Sequence, residues 1–536
     1  MNGVRTSMPM RFAGSDAAIA LMTLGFTWAC GAFVWQPTLA SFADDSVSYL
    51  VMAQVFSPYR EASQAVAAAF AREAFYPPLF PAVLALAGAA HDIAWAHVLT
   101  ALILAACIPV AYLLGVHWLE DRRAAALAVF CVLLLPAMWV NAKGILSEPL
   151  LCLLVLGTLG VLASGSEGGR GFDGARLWIL AMLMAAMMLT RTAALVMIVA
   201  YALWALTRRG QPFALRARAA LPAAAAVAAY LAWVFVRPAA TADSYARIVL
   251  EHGSTLLAAA NPLATIGASL LRQANAVGEA WVGSLLLFWV EGHPVRPLIA
   301  GALGCLALAG ITLRLSAGKA DGWMMAGYLA TFLLWPFYDQ MGRFLFPVLP
   351  VLLLYAFWAT ARVLRFVGRP PILGYGLLAV LVLSLTAPAL AFIYQRSQVP
   401  GRYAEIVDWY RTPDLAQARA RVQVHLELLA DMEEIANRTR PEERVMWVAP
   451  AYIALLAGRR GMAAPDPALP PEAYRQAVRE SGADYVFLSL YHPRDTIRTV
   501  AWQAGTRALT EHAKPVHVRT RGGGSVVTSM LLKLDK

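Results

Sequence analysis

The chain has 536 residues, of which 60% are hydrophobic and only 14% are charged, and its mean hydropathy is +0.59. Soluble globular proteins carry about a quarter charged residues, so this composition excludes a soluble protein and predicts a polytopic membrane protein. The net charge of +11 would suit a nucleic-acid partner, but the distribution of basic residues described below indicates cytoplasmic loops instead, and no nucleic acid is expected.

The N-terminal apolar run has two interpretations. Basic residues precede it and small residues follow it, which is also the pattern of a cleaved secretory signal peptide. The run from Asp16 to Trp35 is about 20 residues long, the length of a membrane span rather than of a signal-peptide core. We therefore predict an uncleaved first transmembrane helix.

Apolar runs of about 17 to 25 residues predict transmembrane helices along most of the chain. We expect eleven, near residues 16–36, 92–118, 123–139, 145–163, 176–190, 192–207, 219–236, 297–315, 322–337, 344–361 and 372–394. The apolar stretch 76–90 is too short to span, so we expect a helix at the interface. The predicted transmembrane domain is 1–394, with long connections at 37–91 and 237–296.

Basic residues are distributed unequally between the two sides of the membrane. If the N-terminus is cytoplasmic, most of the Lys and Arg of the short connections lie inside. The short outer connections then hold only Lys143, Arg191 and Arg343. This positive-inside bias predicts a cytoplasmic N-terminus and places both long connections and segment 395–536 outside. We therefore expect the functional chemistry to face away from the cytoplasm.

Segment 395–536 is typical of a small soluble α/β domain. Residues 415–439 have helical periodicity and precede Pro441. The runs "RVMWVAP" and "DYVFLSL" are typical of buried strands, and "PPEAYRQAVRESG" between them predicts an amphipathic helix that ends at Gly482. A turn and a last strand are predicted in "RGGGSVVTSMLLKLD".

Two neighbouring carboxylates, Asp44 and Asp45, follow the first span. They could cap a helix that starts near Ser46, because aspartate is a favoured N-cap residue. This explains one aspartate more easily than two. A carboxylate at this interface could instead act as a general base on a hydroxyl or an amine. The residues alone leave both interpretations open.

A second acidic group lies in "NAKGILSEPLL" (141–151), between the third and fourth predicted spans. Glu148 begins a helix there, with Pro149 in its first turn. Its carboxylate could serve the helix start, form an interfacial ion pair with Lys143, or belong to the same functional site as the aspartates.

The outer connections also carry cations in apolar surroundings. Arg191 lies in "MMLTRTAALV" and Arg343 in "WPFYDQMGRFLFP". An arginine in such a stretch is costly unless it is paired or lines a polar cavity, although it could also extend to the interface. Together with Lys143 they form three cations at one membrane face, and the arginine fork matches a phosphate.

Several nucleotide and metal motifs are missing from the sequence. It contains no P-loop, no GxGxxG after a strand, no HExxH, no GxSxG and no Cys/His spacing typical of zinc. Because no cytoplasmic domain is predicted either, a nucleotide sugar or ATP has no evident binding place. An enzyme with this organisation would need a substrate embedded in the membrane.

Five motifs occur in a characteristic order: "DSVSYLVMAQ" (45–54), "YPPLFPAVLAL" (76–86), "LSEPLLCLLVL" (146–156), "LTRTAALV" (189–196) and "GRFLFPVLPVLLL" (342–354). The chain resembles the GT-C fold glycosyltransferases that use polyprenyl-phosphate sugars, which include protein O-mannosyltransferases and enzymes that add sugars to lipid A. The resemblance covers most of the chain, including the predicted topology and the outer α/β domain.

The resemblance implies a glycosyltransferase of the bacterial inner membrane. It would move a hexosyl or pentosyl group, with inversion, from a polyprenyl-phosphate donor to a lipid, glycan or protein acceptor at the outer face. In the family an acid of a D-E-x-x-Y pattern activates or holds the acceptor, and Asp45 matches it by its spacing to Tyr49. Ser46 replaces the second acid, which leaves open whether Asp44 substitutes. Glu148 matches the acidic position of the second outer loop.

The resemblance also implies donor-binding residues. Some lipid A-modifying relatives have a Lys before Pro-Pro-Leu that meets the donor phosphate, whereas this chain has Tyr76. The phosphate contact is therefore expected from Arg191, Arg343 or Lys143, and Tyr49 and Tyr76 are expected to line the substrate cavity. The departure at Tyr76 counts against an aminosugar transferase of lipid A.

Metal use differs among these relatives. Oligosaccharyltransferases use a divalent cation and O-mannosyltransferases do not. Because Ser46 stands where a second acidic ligand would be, we expect no essential metal or other cofactor, with a divalent metal as the open alternative.

Two other functions also suit many helices with intramembrane charges. One is a transporter or flippase of a lipid-linked saccharide, although no inverted repeat is evident. The other is a non-catalytic subunit of envelope assembly, against which the acids in both outer loops argue. The donor sugar, the acceptor and the oligomeric state do not follow from the sequence.

Overall fold

The computed structural model describes residues 14–39, 44–165, 174–208, 210–238, 244–288, 294–335, 337–466, 469–490, 507, 509–510, 513–521 and 526–535. Most of these residues are helical. The helices are α1 (Gly14–Val34), α2 (Asp44–Phe56), α3 (Gln64–Glu73), α4 (Leu79–Leu86), α5 (Ile93–Leu119), α6 (Arg122–Leu133), α7 (Pro136–Ala142), α8 (Glu148–Ser164), α9 (Gly174–Thr190), α10 (Leu195–Thr207), α11 (Phe213–Val236), α12 (Ser244–Leu257), α13 (Pro262–Leu286), α14 (Val295–Ser316), α15 (Ala320–Phe332), α16 (Met341–Leu345), α17 (Leu349–Phe366), α18 (Pro371–Ser397), α19 (Asp408–Arg411), α20 (Leu415–Arg438), α21 (Pro450–Tyr452) and α22 (Pro471–Glu480). The strands are β1 (Arg444–Trp447), β2 (Arg460–Ala463), β3 (Tyr485–Ser489), β4 (Ala513–Arg521) and β5 (Val526–Leu534).

Each of the eleven predicted spans contains a helix. Six helical segments among the described residues are long and apolar enough to cross a membrane: α1, α5, α11, α14, α18 and the run Met341–Phe366 that includes α16 and α17. Helices α6 and α7 together make a seventh, bent by 54° at the break before Pro136, which has no N–H to continue α6. Helices α8, α9 and α10 are shorter and apolar. The chain is a multi-pass membrane protein, while the count of eleven spans stays a prediction.

The surface of the bundle supports this assignment. Large apolar side chains on α1 and α11 are exposed, among them Leu21, Trp28, Leu231 and Phe235. Exposed apolar side chains are suited to contact with lipid tails. The helices that carry them satisfy their own backbone hydrogen bonds, as a lipid environment requires.

Helices α14 and α15 approach each other closely at Gly322. A Cβ built on Gly322 would lie 2.5 Å from the backbone nitrogen of Leu315. An ion pair of Arg314 with Asp321, and a hydrogen bond of 2.7 Å from the Tyr355 hydroxyl to Asp321, connect the same helices to α17. Only glycine fits at position 322, since backbone atoms cannot move aside as a flexible side chain can.

Replacing Gly322 by alanine is therefore expected to lower the free energy of unfolding by about 1–3 kcal/mol through overpacking. Thermal unfolding of the purified protein in detergent measures this. Gly301→Ala in α14 is the matched control, because a Cβ there meets nothing within 4 Å. The control is expected to gain stability from the higher helix propensity of alanine. Equal stability of the two variants would contradict the close approach.

The first long connection is folded into helices. Helix α2 packs on α3 and α4, and α4 occupies the stretch for which an interfacial helix is predicted. Buried side chains of this layer, such as Val47 and Phe80, share a hydrophobic cluster with Trp447 and Phe487 of the C-terminal segment. The layer therefore joins the helical bundle to the C-terminal sheet. The predicted domain boundary at residue 394 stays a prediction.

The second long connection contains α12 and α13. Asn261 caps α13 by accepting a hydrogen bond of 3.3 Å from the Ala264 N–H, and Pro262 occupies the first turn. Helix α13 packs against α14, α16, α18 and α7. Part of the predicted outer loop thus belongs to the bundle.

The C-terminal segment has the predicted α/β character. Its five strands lie in the order β2-β1-β3-β5-β4, with β1 parallel to β2 and β3, and β5 antiparallel to β3 and β4. Helices α20 and α22 and strands β1, β3 and β5 were expected, whereas β2 and β4 were not. The basic side chains of β4 form ion pairs with acids of α20. Arg519 binds Asp431 at 2.7 Å and Arg521 binds Glu427 at 2.8 Å.

Candidate active site

The first turn of α2 places Asp45 against groups from distant parts of the chain. Its Oδ2 forms an ion pair with Arg343 Nη2 at 2.5 Å, and its Oδ1 accepts a hydrogen bond from the Tyr76 hydroxyl. Asp45 is buried, so both contacts are formed away from bulk water. Asp44 begins the same helix, but its side chain lies outside the described residues.

Glu148 lies between two arginines. It is buried at the first position of α8, after Ser147 and before Pro149. Its Oε1 accepts from Arg191 Nη1 at 2.7 Å and also from Arg343 Nε. Its Oε2 is buried and has no hydrogen-bond partner among the described residues.

The two arginines come from helix breaks. Arg191 follows α9 in an extended conformation (φ −153°, ψ 135°) before a short 3-10 turn, so its side chain leaves the helical register. Arg343 lies in the short helix α16 and contacts both Asp45 and Glu148. The guanidinium of Arg191 also stands over the Phe344 ring, at 5.3 Å. Ion pairing, rather than extension to the interface, therefore accommodates both cations.

Lys143 lies outside this cluster, and the Lys143–Glu148 ion pair that the sequence allows is not formed. Its ammonium donates to the Phe33 carbonyl at 2.7 Å and stands 4.2 Å from the Phe33 ring and 5.3 Å from the Tyr410 ring. Burial lowers the pKa of Lys143 to about 8. Lys143 thus packs against Phe33 of α1 and Tyr410 of α19.

The arginines determine the ionisation of Asp45. Burial by itself raises the pKa of the Asp45 carboxyl, but the charges of Arg343 and Arg191 and the Tyr76 hydrogen bond outweigh it. The net result is a pKa below the ordinary value, so Asp45 is ionised at neutral pH. The four charges of Asp45, Glu148, Arg191 and Arg343 balance one another.

An aromatic pocket adjoins the cluster. Tyr49 and Tyr76 line it, together with Arg191, Trp335, Phe344 and other residues. The Tyr49 hydroxyl shares a hydrogen bond of 2.8 Å with Ser147, which also contacts Arg191 at 3.4 Å. The Trp233 indole donates to the Tyr76 carbonyl at 3.1 Å. A pocket with apolar walls and a few polar groups is typical of a small-molecule site.

Metal ligands do not converge in the part of the chain that the structure describes, where no group of three His, Cys, Asp or Glu side chains is placed to hold an ion. The Asp44 side chain lies outside that part. The expectation of no essential metal stays a prediction.

The structure adds contacts near the site that sequence patterns did not indicate. Ser147 connects Tyr49 to Arg191. Ser48, one turn after Asp45, donates to the Glu73 carboxylate of α3. Arg411 of α19 donates to Asn141 Oδ1 at 3.0 Å, across 270 positions of sequence. None of these pairs has a local motif, because each depends on how separate segments pack.

No protein-family model and no curated protein sequence matches the chain. Solved structures match its fold. ArnT from Cupriavidus metallidurans bound to undecaprenyl phosphate is 13% identical with a TM-score of 0.55, covering 97% of this chain and 98% of that one. The archaeal oligosaccharyltransferase AglB from Archaeoglobus fulgidus, in complex with an inhibitory peptide and a dolichol-phosphate, is 13% identical with a TM-score of 0.50, covering 95% and 74%. The chain therefore has the GT-C glycosyltransferase fold that the order of its motifs predicts.

Proposed function

We propose that this chain transfers a sugar from a polyprenyl-phosphate donor to an acceptor hydroxyl or amine, with Asp45 as the base. The observation that carries the proposal is the convergence of Asp45 and Glu148 on Arg191 and Arg343 beside an aromatic pocket. The likeness to structures solved with undecaprenyl phosphate and dolichol-phosphate supports a lipid phosphate as the donor. The site then faces the outer side of a bacterial inner membrane, with the N-terminus in the cytoplasm.

In the proposed reaction the donor phosphate binds Arg191 and Arg343, and the sugar occupies the pocket lined by Tyr49 and Tyr76. Asp45 accepts the proton of the acceptor while its oxygen or nitrogen forms a bond to the anomeric carbon. The bond from that carbon to the phosphate oxygen breaks, and polyprenyl phosphate leaves with the bonding electrons. Attack from the side opposite the phosphate inverts the anomeric centre. The arginines stabilise the charge that develops on the leaving phosphate.

Donor binding also activates the base in this mechanism. While Asp45 is paired with Arg343 it is a weak base, because its pKa is held low. A donor phosphate competes for Arg343 and neutralises part of its charge, which raises the pKa of Asp45. Glu148 continues to hold the two guanidinium groups in place. The base therefore becomes competent when the donor is bound.

This coupling predicts two different pH profiles. The fall of kcat/KM for the donor at low pH reports the pKa of the base in the free enzyme. The fall of kcat at low pH reports its pKa in the enzyme with donor bound. Since the pKa of Asp45 is low in the free enzyme and rises with the donor, the acidic limb of kcat is expected at higher pH. Initial rates between pH 4 and pH 8 measure both. Superimposed limbs would contradict the exchange of partners at Arg343.

The proposed function is tested with purified protein in lipid nanodiscs and labelled undecaprenyl-phosphate sugars. Release of undecaprenyl phosphate with transfer of the label to an acceptor supports it, and a parallel sample with EDTA tests the metal. A transporter would move the donor between the leaflets of vesicles without cleaving it, and an assembly subunit would do neither. Either result would overturn the proposal.

A further inference from the structure

The two oxygens of the Asp45 carboxylate have different partners. The Tyr76 hydroxyl donates a hydrogen bond to Oδ1, whereas Arg343 Nη2 contacts Oδ2 at 2.5 Å. Tyr76 lies in the connection between α3 and α4, 31 positions after Asp45. Both residues are buried, so the hydrogen bond is formed away from bulk water.

The end of α11 fixes the backbone around Tyr76. Trp233 Nε1 donates to the Tyr76 carbonyl at 3.1 Å, and Arg237 Nη1 donates to the preceding carbonyl, that of Phe75, at 3.3 Å. The Tyr76 N–H donates to the Glu73 carbonyl at 3.3 Å. The connection is therefore held both by a transmembrane helix and by the end of α3.

Ring contacts fix the side chain of Tyr76. Its ring centroid lies 4.1 Å from that of Phe75 and 5.2 Å from that of Tyr49. Tyr49 lies one turn after Asp45 on α2, and its ring also packs against Phe80 at 5.1 Å. A side chain that is locked by packing holds its polar atom in one place. The Tyr76 hydroxyl is thus aimed at Asp45 by its surroundings.

Other ionisable groups surround Asp45 among the described residues. They are Arg343 of α16, Arg191 after α9, Glu148 of α8, Tyr49 of α2 and Glu73 of α3, the last through Ser48. In the proposed reaction the donor phosphate competes for the two arginines, which weakens their hold on Asp45. Tyr76 is uncharged and contacts the other carboxylate oxygen, so its hydrogen bond persists when the donor is bound.

We propose that Tyr76 is the positioning residue of the base. It holds Oδ1 of Asp45 throughout the reaction, and Oδ2 takes the acceptor proton once Arg343 has turned to the donor phosphate. The acceptor O–H or N–H bond breaks as its oxygen or nitrogen bonds to the anomeric carbon, and Tyr76 keeps its own proton. This inference rests on the proposed function, which makes Asp45 the base.

Infrared titration of donor-free protein in nanodiscs tests this role without turnover. Tyr76→Phe removes the hydroxyl and keeps the ring. The carboxylic-acid C=O band of Asp45 is identified by its loss in Asp45→Asn. Because the Tyr76 hydrogen bond lowers the pKa of Asp45, the band is expected to appear about one to two pH units higher in Tyr76→Phe than in wild type.

Tyr59→Phe is the matched control for this titration. Tyr59 belongs to the same long connection, but its side chain is exposed and its hydroxyl donates to the Leu86 carbonyl at 2.8 Å. The band in Tyr59→Phe is therefore expected to titrate as in wild type. A shift equal to that of Tyr76→Phe would show a general effect on the connection and contradict the assignment.

Kinetics separate positioning from a merely structural contact. In Tyr76→Phe, kcat for sugar transfer is expected to fall about 10- to 100-fold, because the base is present but poorly aligned. KM for the donor is expected to change by less than about twofold, since the hydroxyl acts only on the base. The fall of kcat at low pH is expected to move to higher pH. A contact that is only structural would leave this profile in place.

The outcomes separate the two proposals. An infrared titration or a kcat profile of Tyr76→Phe that matches wild type would overturn the positioning role. A higher KM for the donor with unchanged kcat would also overturn it, because Tyr76 would then bind the donor. A shifted band in Tyr76→Phe, in a protein whose wild type turns over no donor, would overturn the proposed function and leave the hold of Tyr76 on Asp45 intact.

Discussion

Replacing Asp45 by asparagine is expected to lower kcat for sugar transfer by about 10²–10⁴-fold, the usual contribution of a general base. Asparagine is nearly isosteric but cannot accept the proton. It also removes the negative charge that competes for Arg343, which Asp45 contacts at 2.5 Å. Affinity for undecaprenyl phosphate is therefore expected to stay the same or to increase. Initial rates and direct binding of undecaprenyl phosphate measure the two quantities.

Asp44→Asn is the matched control for this prediction. It changes the neighbouring carboxylate in the same helix turn and is expected to retain most of the activity. Loss of turnover in Asp44→Asn with activity retained in Asp45→Asn would transfer the role of base to Asp44. If neither substitution affects turnover, the base is neither aspartate and the proposed mechanism is wrong.

Replacing Glu148 by glutamine is expected to lower the free energy of unfolding by about 3–5 kcal/mol, the cost of removing one partner from a buried ion pair. Glu148 is buried, and its Oε1 forms ion pairs with both Arg191 and Arg343. Without its charge the two guanidinium groups repel each other in a desolvated site. Undecaprenyl phosphate is expected to restore much of the stability, because its phosphate replaces the missing negative charge. Thermal unfolding with and without this lipid measures both effects.

The control is Glu472→Gln, which removes a carboxylate from an ion pair with Arg475. The Glu472 side chain is 75% exposed, so its loss is expected to change stability by about 0–1 kcal/mol. Wild-type stability of Glu148→Gln would contradict its role in holding the arginines. Destabilisation that undecaprenyl phosphate does not relieve would instead contradict phosphate binding at this place.

The sequence predicted the helices well because their apolar runs are long. Each of the eleven predicted segments contains a helix, and the periodicity of 415–439 predicted α20, which covers Leu415–Arg438. Strand β4 was missed because its pattern depends on a partner. Its basic residues, and the proline at position 515, are typical of a polar loop. Only the folded structure places Asp431 and Glu427 of α20 opposite them.

The sequence by itself determined the membrane class and the residue types of the candidate site, since composition and apolar run length are properties of the chain. The GT-C fold was implied by the resemblance of its five motifs to those of known glycosyltransferases. Only the tertiary structure decided which charges meet. Arg343 joins Asp45 and Glu148 across 298 and 195 positions, and Lys143, only five positions before Glu148, lies outside the cluster. An ion pair depends on distances of a few ångströms between side chains. Those distances are set by how α2, α8, α9 and α16 pack together.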